Sequence, residues 1–216
     1  MIPISITSCT VGEWQTNSYL VAADNHFIII DPGDEIDKLQ LQFQAIEQPS
    51  SNIVIFATHG HFDHVGAVDF FKRKYKSKFW LHSKDKRILG QANLYRKITG
   101  VKPSFPIPEI DFYFDELEKF RFSDYDVKIH YLPGHTDGSV GFEISKSLFC
   151  GDLILNNALG RTDLPGGDKD KIIDSTRLVL DRFLGYTIYP GHGNPFVLTS
   201  QKVNYFTELI IKWERL

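Results

Sequence analysis

The feature that most limits the fold of this chain is a cluster of metal-ligating side chain types at the end of an apolar run. Residues 52–57 read Asn-Ile-Val-Ile-Phe-Ala, which predicts a buried strand. The next residues are Thr58-His59-Gly60-His61-Phe62-Asp63-His64. In an extended segment, residues two apart point to the same side, so His59 and His61 can converge on one ion. Asp63 and His64 precede a predicted helix and would face a neighbouring position. Borderline divalent metals such as zinc prefer imidazole and carboxylate ligands.

Three later positions repeat this placement, because each follows an apolar strand in a loop that contains glycine. They are His135 in Leu132-Pro-Gly-His-Thr-Asp-Gly, Asp152 in Phe149-Cys-Gly-Asp, and His192 in Tyr189-Pro-Gly-His-Gly. Such loops are where a rigid scaffold presents functional side chains. A single loop histidine is more often solvent-facing or hydrogen-bonded than metal-bound, and an aspartate at a turn usually caps the backbone. Neither explanation accounts for all seven residues together.

The rest of the chain alternates between strand and helix patterns. Strands are predicted at 4–11, 18–22, 27–30, 78–82, 127–132, 140–144 and 147–150, with a lone strand at 187–189. Helical spacing of apolar residues predicts helices at 36–46, 65–75, 84–98, 172–183 and 203–213. Pro103, Pro106 and Pro108 mark an irregular segment between them. The order indicates sheets covered by helices in layers, within a single domain over residues 1–216.

Composition excludes several classes of protein. With 216 residues, 42% hydrophobic and 24% charged, the chain is neither disordered nor fibrous. A formal charge of −3 argues against a general nucleic-acid or anionic-membrane binder. Two cysteines, Cys9 and Cys150, suit a reducing compartment and are interpreted as small buried hydrophobes. Met1 to Thr7 has no basic segment, and no apolar run approaches 18 residues, so we expect a cytoplasmic protein.

The complete histidine and aspartate pattern resembles the ligand set of the metallo-β-lactamase superfamily. The resemblance runs from Asn17-Ser18-Tyr19-Leu20-Val21 through Asp31-Pro32-Gly33 to Pro190-Gly191-His192-Gly193. It implies a layered α/β fold, the four-layer αββα sandwich, with two divalent metal ions at one edge between the sheets. Zinc is the first expectation, with iron or manganese as alternatives. The implied ligands are His59, His61 and His135 on one ion, Asp63, His64 and His192 on the other, and Asp152 between them.

This ligand set has a chemical rationale that needs no serine or cysteine nucleophile. Two metal ions about 3.5 Å apart share a water, lower its pKa towards neutrality and polarise a substrate carbonyl. Asp63 can also orient the resulting hydroxide, and Asp152 would hold both ions, so these two carry the expected catalytic roles. The remaining histidines, His26, His82 and His130, are interpreted as structural or exposed.

The segment from Gly160 to Asp168 resembles the loop of the glyoxalase II-like hydrolases. In those relatives a basic side chain contacts the anionic end of a glutathione thioester, and Arg161 stands at that position. The alternative role for Arg161 is a structural ion pair with Asp163 or Asp168. Glyoxalase II proper has aromatic residues where Thr162 and Asp163 stand, and it carries a C-terminal helical domain where this chain has about one helix. We therefore expect the thiol side of the pocket to come from Pro103 to Pro108.

The resemblance thus predicts a dinuclear hydrolase that cleaves a small anionic acyl-thioester, with a metal-bridging hydroxide as nucleophile. The main alternative is a mononuclear iron persulfide dioxygenase, whose loop also contains a Gly-Arg-Thr-Asp run. A β-lactamase is less favoured, since many of those enzymes have cysteine at the position of Asp152. RNA processing is not expected, because no Lys/Arg patch rises above an ordinary solvated face. A different class of protein, a metal-binding sensor module without turnover, also remains open.

Overall fold

The first sheet is built from the N-terminal half of the chain, in a computed structural model that describes residues 3–47 and 52–215. Its six strands lie in the order of the sequence: β1 (Ser5–Val11), β2 (Thr16–Ala23), β3 (His26–Ile30), β4 (Asn52–Phe56), β5 (Lys78–Leu81) and β6 (Phe112–Tyr113). The first three strands are antiparallel, and β3 to β6 are parallel. As the wholly apolar run predicted, residues 27–30 are buried.

The second sheet is built from the C-terminal half and also has six strands. Its members are β7 (Lys119–Phe122), β8 (Tyr125–Tyr131), β9 (Val140–Ile144), β10 (Ser147–Gly151), β13 (Thr187–Pro190) and β14 (Phe196–Val197). The strand predicted at 187–189 is confirmed as β13, but it is not isolated, because it pairs in parallel with β10 and antiparallel with β14. A separate two-stranded hairpin joins β11 (Ile154–Leu155) and β12 (Ala158–Leu159).

Helices cover the outer face of each sheet, which gives the four layers of an αββα sandwich. On the first sheet lie α1 (Ile36–Gln42) and α3 (Val68–Tyr75), and on the second lie α6 (Lys169–Arg182) and α7 (Ser200–Glu214). A third apolar cluster fills the space between the sheets and includes Tyr19, Phe56, Phe142 and Phe149. Each sheet is therefore buried on both faces, as the apolar strands require.

Two predicted helices are interrupted, and both breaks lie near the ligand cluster. The helix expected over 65–75 is divided into α2 (Phe62–Val65) and α3, because the Ala67 N–H donates to the Pro32 carbonyl, at 3.0 Å. The helix expected over 84–98 is divided at Gln91 into α4 (Lys86–Gly90) and α5 (Ala92–Ile98). None of the helices in the described ranges is both long and apolar enough to span a membrane.

Strand direction brings the predicted ligands to one edge of the sandwich. β3 and β4 run parallel, as do β10 and β13, so their carboxyl ends meet at the same edge of each sheet. β8 points the same way as β10, since each pairs antiparallel with β9. The two sheets are joined at this edge, where the Asn17 N–H donates to the Gly191 carbonyl, at 2.7 Å.

Candidate metal centre

The structure brings all seven predicted ligands together at this edge. His61 Nδ1 and His135 Nε2 are 2.9 Å apart, although 74 residues separate them in the chain. Asp152 Oδ2 lies 3.5 Å from His135 Nε2 and 3.2 Å from His192 Nε2. His192 Nε2 is also 3.4 Å from Asp63 Oδ2. Side chains from the ends of four different strands therefore surround one small volume.

Within this volume the ligand atoms form three overlapping groups, and the atoms of each lie within 4.8 Å of one another. The groups are His59, His61 and His135; His59, His64 and Asp152; and Asp63, His64 and His192. The first and third groups are the two ligand sets implied by the resemblance. Asp152 lies between them, with Oδ1 at 3.6 Å from His64 Nε2 and Oδ2 facing His135. This arrangement has room for two neighbouring ions with a shared carboxylate.

Hydrogen bonds on the outer side of the imidazole rings leave the inner nitrogens for a metal. His59 Nδ1 lies 3.1 Å from Thr58 Oγ1, and His64 Nδ1 lies 3.0 Å from Asp31 Oδ2. His135 Nδ1 donates to the Arg161 carbonyl, at 2.8 Å. Metal-ligating histidines are usually held in this way, because the outer hydrogen bond fixes the ring and its tautomer.

The inner atoms are buried without a hydrogen-bond partner in the described protein. They are His59 Nε2, His64 Nε2 and Asp152 Oδ1. A buried polar atom with no partner costs about 1–3 kcal/mol, so three of them at one point require an explanation. Divalent metal ions supply one, since histidine nitrogen and carboxylate oxygen are the donor atoms that such ions take. The residues present therefore fit a metal centre.

Two buried carboxylates that support the centre were not singled out by the sequence. Asp31 accepts hydrogen bonds from both the Thr58 backbone N–H and its hydroxyl, each at 2.7 Å, besides its contact with His64. Asp85 accepts from the Gly60 N–H at 2.8 Å, the Thr136 hydroxyl at 2.7 Å and the Gly138 N–H at 2.8 Å. It thereby joins the loop of His59 and His61 to the loop of His135.

The protein's own charges set opposite protonation tendencies in the two halves of the cluster. Burial, reinforced by the neighbouring His135, lowers the pKa of His61 to about 3. Burial also acts to lower the pKa of His64, but the carboxylates of Asp63, Asp152 and Asp31 outweigh it and raise that pKa to about 9. In the metal-free protein these charges thus favour a neutral His61 and a protonated His64.

The cluster opens into a cavity of about 440 Å³ with largely apolar walls. One wall carries Trp14 and Phe62, whose rings meet edge to face at 5.4 Å. The other walls come from α5, from the β11–β12 hairpin and from the loop after it, through Tyr95, Thr99, Leu155, Leu159, Leu164 and Pro165. Among the described residues that line the cavity, Arg161 alone carries a permanent positive charge.

The structure shows the ion pair that was one of the two alternatives for Arg161, and it places this residue on the cavity wall. The guanidinium binds Asp163 in a bidentate pair, Nε to Oδ1 and Nη2 to Oδ2, each at 2.7 Å. Both side chains are well exposed, at 46% and 68%. Asp168 instead caps α6, where its carboxylate accepts the N–H groups of Asp170 and Lys171, at 3.0 Å each.

The prediction that Pro103 to Pro108 forms the thiol side of the pocket is wrong, because this segment does not line the cavity. Asn93 on α5 holds it by exchanging hydrogen bonds with the Phe105 backbone, and Arg96 binds the Pro103 carbonyl. The segment therefore lies on the far side of α5, and Tyr95 and Thr99 of that helix face the cavity in its place.

The remaining cysteines and histidines lie outside the centre, as predicted. Cys9 and Cys150 are buried and unpaired with each other, in strands of different sheets. His82 stacks on Tyr131, and His130 contacts the Glu143 carboxylate at 2.8 Å. His26 meets the ring of Phe122 edge to face.

The fold and the ligand cluster together define a class, the αββα sandwiches that carry a metal centre at one edge of their two sheets. The chain belongs to the metallo-beta-lactamase superfamily, whose family model matches residues 11–192. It is 32% identical to the hydroxyacylglutathione hydrolase GloC of Haemophilus influenzae, over 92% of this chain and 95% of that protein.

Solved structures give the same result for the fold. The structure of TTHA1623 in a di-iron-bound form is 33% identical, with a TM-score of 0.77 over 88% of this chain and 94% of that one. The BLEG-1 B3 metallo-beta-lactamase is 27% identical, with a TM-score of 0.80 over 90% of this chain and 94% of that one. Similar proteins thus include a hydroxyacylglutathione hydrolase, a protein in a di-iron-bound form and a B3 metallo-beta-lactamase, so similarity alone does not assign a substrate to this chain.

Proposed function

We propose that this protein is a dinuclear metal-dependent hydrolase of small anionic acyl-thioesters, similar in activity to hydroxyacylglutathione hydrolases. The observation that carries the proposal is the combination of the ligand cluster, the apolar cavity above it and the presence of Arg161 on its wall. A thioester of an acidic thiol has the matching parts, namely a carbonyl, an apolar sulfur-bearing chain and a carboxylate.

A bound metal pair, with zinc proposed as the ion, would supply Lewis acidity that lowers the pKa of water and polarises the thioester carbonyl. His59, His61 and His135 would hold one ion, Asp63, His64 and His192 the other, and Asp152 both. Thr16 fixes Asp63 in place, because its hydroxyl donates to Asp63 Oδ2 at 2.7 Å. Asp63 Oδ2 is thus held where it can accept a hydrogen bond from the attacking water and orient it.

The cavity residues would bind and orient the substrate. Trp14 and Phe62 offer an apolar surface beside the ligands, which suits the carbon chain next to the thioester sulfur. Arg161 suits the carboxylate, because its planar fork binds such groups through two hydrogen bonds. Its carbonyl meanwhile accepts from His135 Nδ1, so the carboxylate site and one ligand are fixed by the same residue.

Metal analysis combined with a substrate panel tests the proposal. The purified protein should contain about two ions per chain and release free thiol from S-lactoylglutathione. One iron per chain, with oxygen uptake on glutathione persulfide and no thioester cleavage, would instead establish the dioxygenase alternative. Hydrolysis of a cephalosporin in preference to every thioester would establish a β-lactamase. Full occupancy by two ions without turnover of any of these substrates would favour the sensor module.

A further inference from the structure

The Arg161–Asp163 pair has the geometry that a substrate carboxylate would take. The guanidinium offers Nε and Nη2 to the two oxygens of Asp163, at 2.7 Å each, which is the fork-to-fork arrangement of an arginine with a free carboxylate. Asp163 is two residues from Arg161, and its side chain is 68% exposed, outside the lining of the cavity. An internal carboxylate therefore occupies Arg161, which alone among the described residues lining the cavity carries a permanent positive charge.

The backbone that carries this pair is fixed, so an exchange of partners involves the side chains. The Arg161 carbonyl accepts from His135, and the Asp168 N–H donates to the Gly134 carbonyl at 2.8 Å, which ties both ends of the loop to the His135 loop. The Gly167 N–H also closes the loop on the Leu164 carbonyl, at 2.9 Å. Arg161 and Asp163 remain free to turn, since nearly half or more of each side chain is exposed.

An exposed pair of this kind is exchanged at little cost. Ion pairs in contact with water contribute little, because the high dielectric and the entropy of two mobile side chains offset their attraction. A substrate carboxylate can thus take the place of Asp163 on Arg161. A neutral substrate, by contrast, can enter the cavity while Arg161 remains paired with Asp163, so the guanidinium keeps a partner.

We propose that Asp163 is a specificity-determining residue: its carboxylate holds Arg161 in the resting site and is displaced by the carboxylate of an anionic thioester. This inference rests on the proposed function for its substrate class. Asp163 makes the site more tolerant of neutral substrates, since it weakens the binding of anionic ones and leaves neutral ones unaffected. Removal of its charge should therefore sharpen the preference for anions.

The test measures binding rather than turnover. S-hexylglutathione, a thioether that cannot be hydrolysed, and its diethyl ester are titrated calorimetrically into the metal-loaded wild type and Asp163→Asn. The variant should bind S-hexylglutathione about two- to five-fold more tightly, which corresponds to the strength of an exposed ion pair. Binding of the diethyl ester should not change. Asp170→Asn is the matched control, since it removes the same charge from an exposed position on α6.

A double-mutant cycle with Arg161→Ala separates exchange from long-range electrostatics. In the Arg161→Ala background, Asp163→Asn should no longer tighten the binding of S-hexylglutathione. The proposal is overturned if the tightening persists there, if the ratio of the two affinities is unchanged in Asp163→Asn, or if that variant does not bind S-hexylglutathione. A wild type that binds the thioether with these effects but hydrolyses no thioester would refute the proposed function alone.

Discussion

Replacement of Asp31 by asparagine tests whether a residue that is not itself a ligand orients a ligand of the metal centre. Asp31 is 1% exposed, and as a carboxylate it can only accept hydrogen bonds. His64 therefore donates from Nδ1, so in its neutral, metal-binding form Nε2 carries no proton and faces the cluster. The amide of Asp31→Asn keeps its oxygen on the Thr58 backbone N–H, which can only donate, and so places its NH2 where Oδ2 now receives the His64 and Thr58 hydroxyl donors. His64 can relieve this clash only by moving its proton to Nε2, which blocks that nitrogen for a metal.

The expected loss of metal affinity in Asp31→Asn differs between the two groups of ligands. His64 loses a hydrogen bond to a charged acceptor, which is worth about 1.5–3 kcal/mol, or roughly a 10- to 100-fold loss in affinity for the ion held with Asp63 and His192. His59 is affected only through the hydroxyl of Thr58, which lies 3.1 Å from its Nδ1. One neutral hydrogen bond is worth about 1 kcal/mol, so the affinity for the ion held by His59, His61 and His135 should fall about five-fold.

The assay is a titration of chelator-treated protein with Zn²⁺ against a chromogenic competing chelator, which resolves two binding constants per chain. Asp85→Asn is the counterpart variant, because Asp85 joins the two loops that carry His59, His61 and His135. It should weaken the other binding step more than Asp31→Asn does. If Asp31→Asn lowered both constants equally, or neither, while circular dichroism showed a folded protein, the assignment of Asp31 to His64 would be refuted.

Three further predictions follow from the same geometry. Asp152→Ala should abolish hydrolysis and lower the metal content from about two ions per chain to one or fewer, measured by elemental analysis, because it removes the shared carboxylate; full activity would contradict the assignment. Arg161→Ala should raise KM for an anionic thioester about ten-fold while the metal content stays intact, since the carbonyl that holds His135 is retained; an unchanged KM would leave Arg161 a purely structural role. After chelation, the free energy of unfolding should be greatest near pH 6.5, about the pKa of histidine in the unfolded chain. Burial and the neighbouring His135 lower the pKa of His61 to about 3, so the free energy of unfolding decreases as pH falls below 6.5. His64 is buried too, but Asp63 and the other carboxylates raise its pKa to about 9, so the free energy of unfolding decreases as pH rises from 6.5 towards 9. Denaturant unfolding across pH checks this, and a steady rise in stability up to pH 9 would contradict it.

The sequence predicted the sheets and the seven candidate ligands because both depend on local patterns. A wholly apolar run such as residues 27–30 marks a strand buried on two faces, whatever it packs against. The two-residue strands β6, β11, β12 and β14 are absent from the prediction, since two residues carry no periodicity and form a strand only through their neighbours. The four-residue strand β7 is absent from it as well. The break between α2 and α3 likewise depends on a tertiary contact, the hydrogen bond from the Ala67 N–H to the Pro32 carbonyl.

The supporting carboxylates were missed for a different reason. Asp31 stands in Asp-Pro-Gly, where aspartate usually marks a turn, and Asp85 lies in a polar stretch before a helix. Their partners are 25 to 53 residues away in the chain, so no local pattern reveals them. The one available signal was the position of Asp31 directly after a buried strand, the same position that drew attention to the ligands. Sequence reasoning used that position for Asp152 and not for Asp31.

The glycines beside the ligands have a role beyond turning the chain. A Cβ on Gly191 would lie 2.1 Å from Asp152 Oδ1 and 2.7 Å from His64 Cε1, and one on Gly160 would lie 1.6 Å from the Asp152 carbonyl oxygen. Asp152 is therefore enclosed by the backbone of two other loops, at distances that any side chain would prevent. A side chain at position 191 would collide with the Asp152 carboxylate, and one at position 160 with the Asp152 main chain, so both positions require glycine. Where backbone packs this closely against Asp152, only glycine fits, as at Gly191, and the next residue along the chain is the ligand His192. The pairing of glycine with histidine or aspartate that marks this site in the sequence thus follows from packing as much as from chemistry.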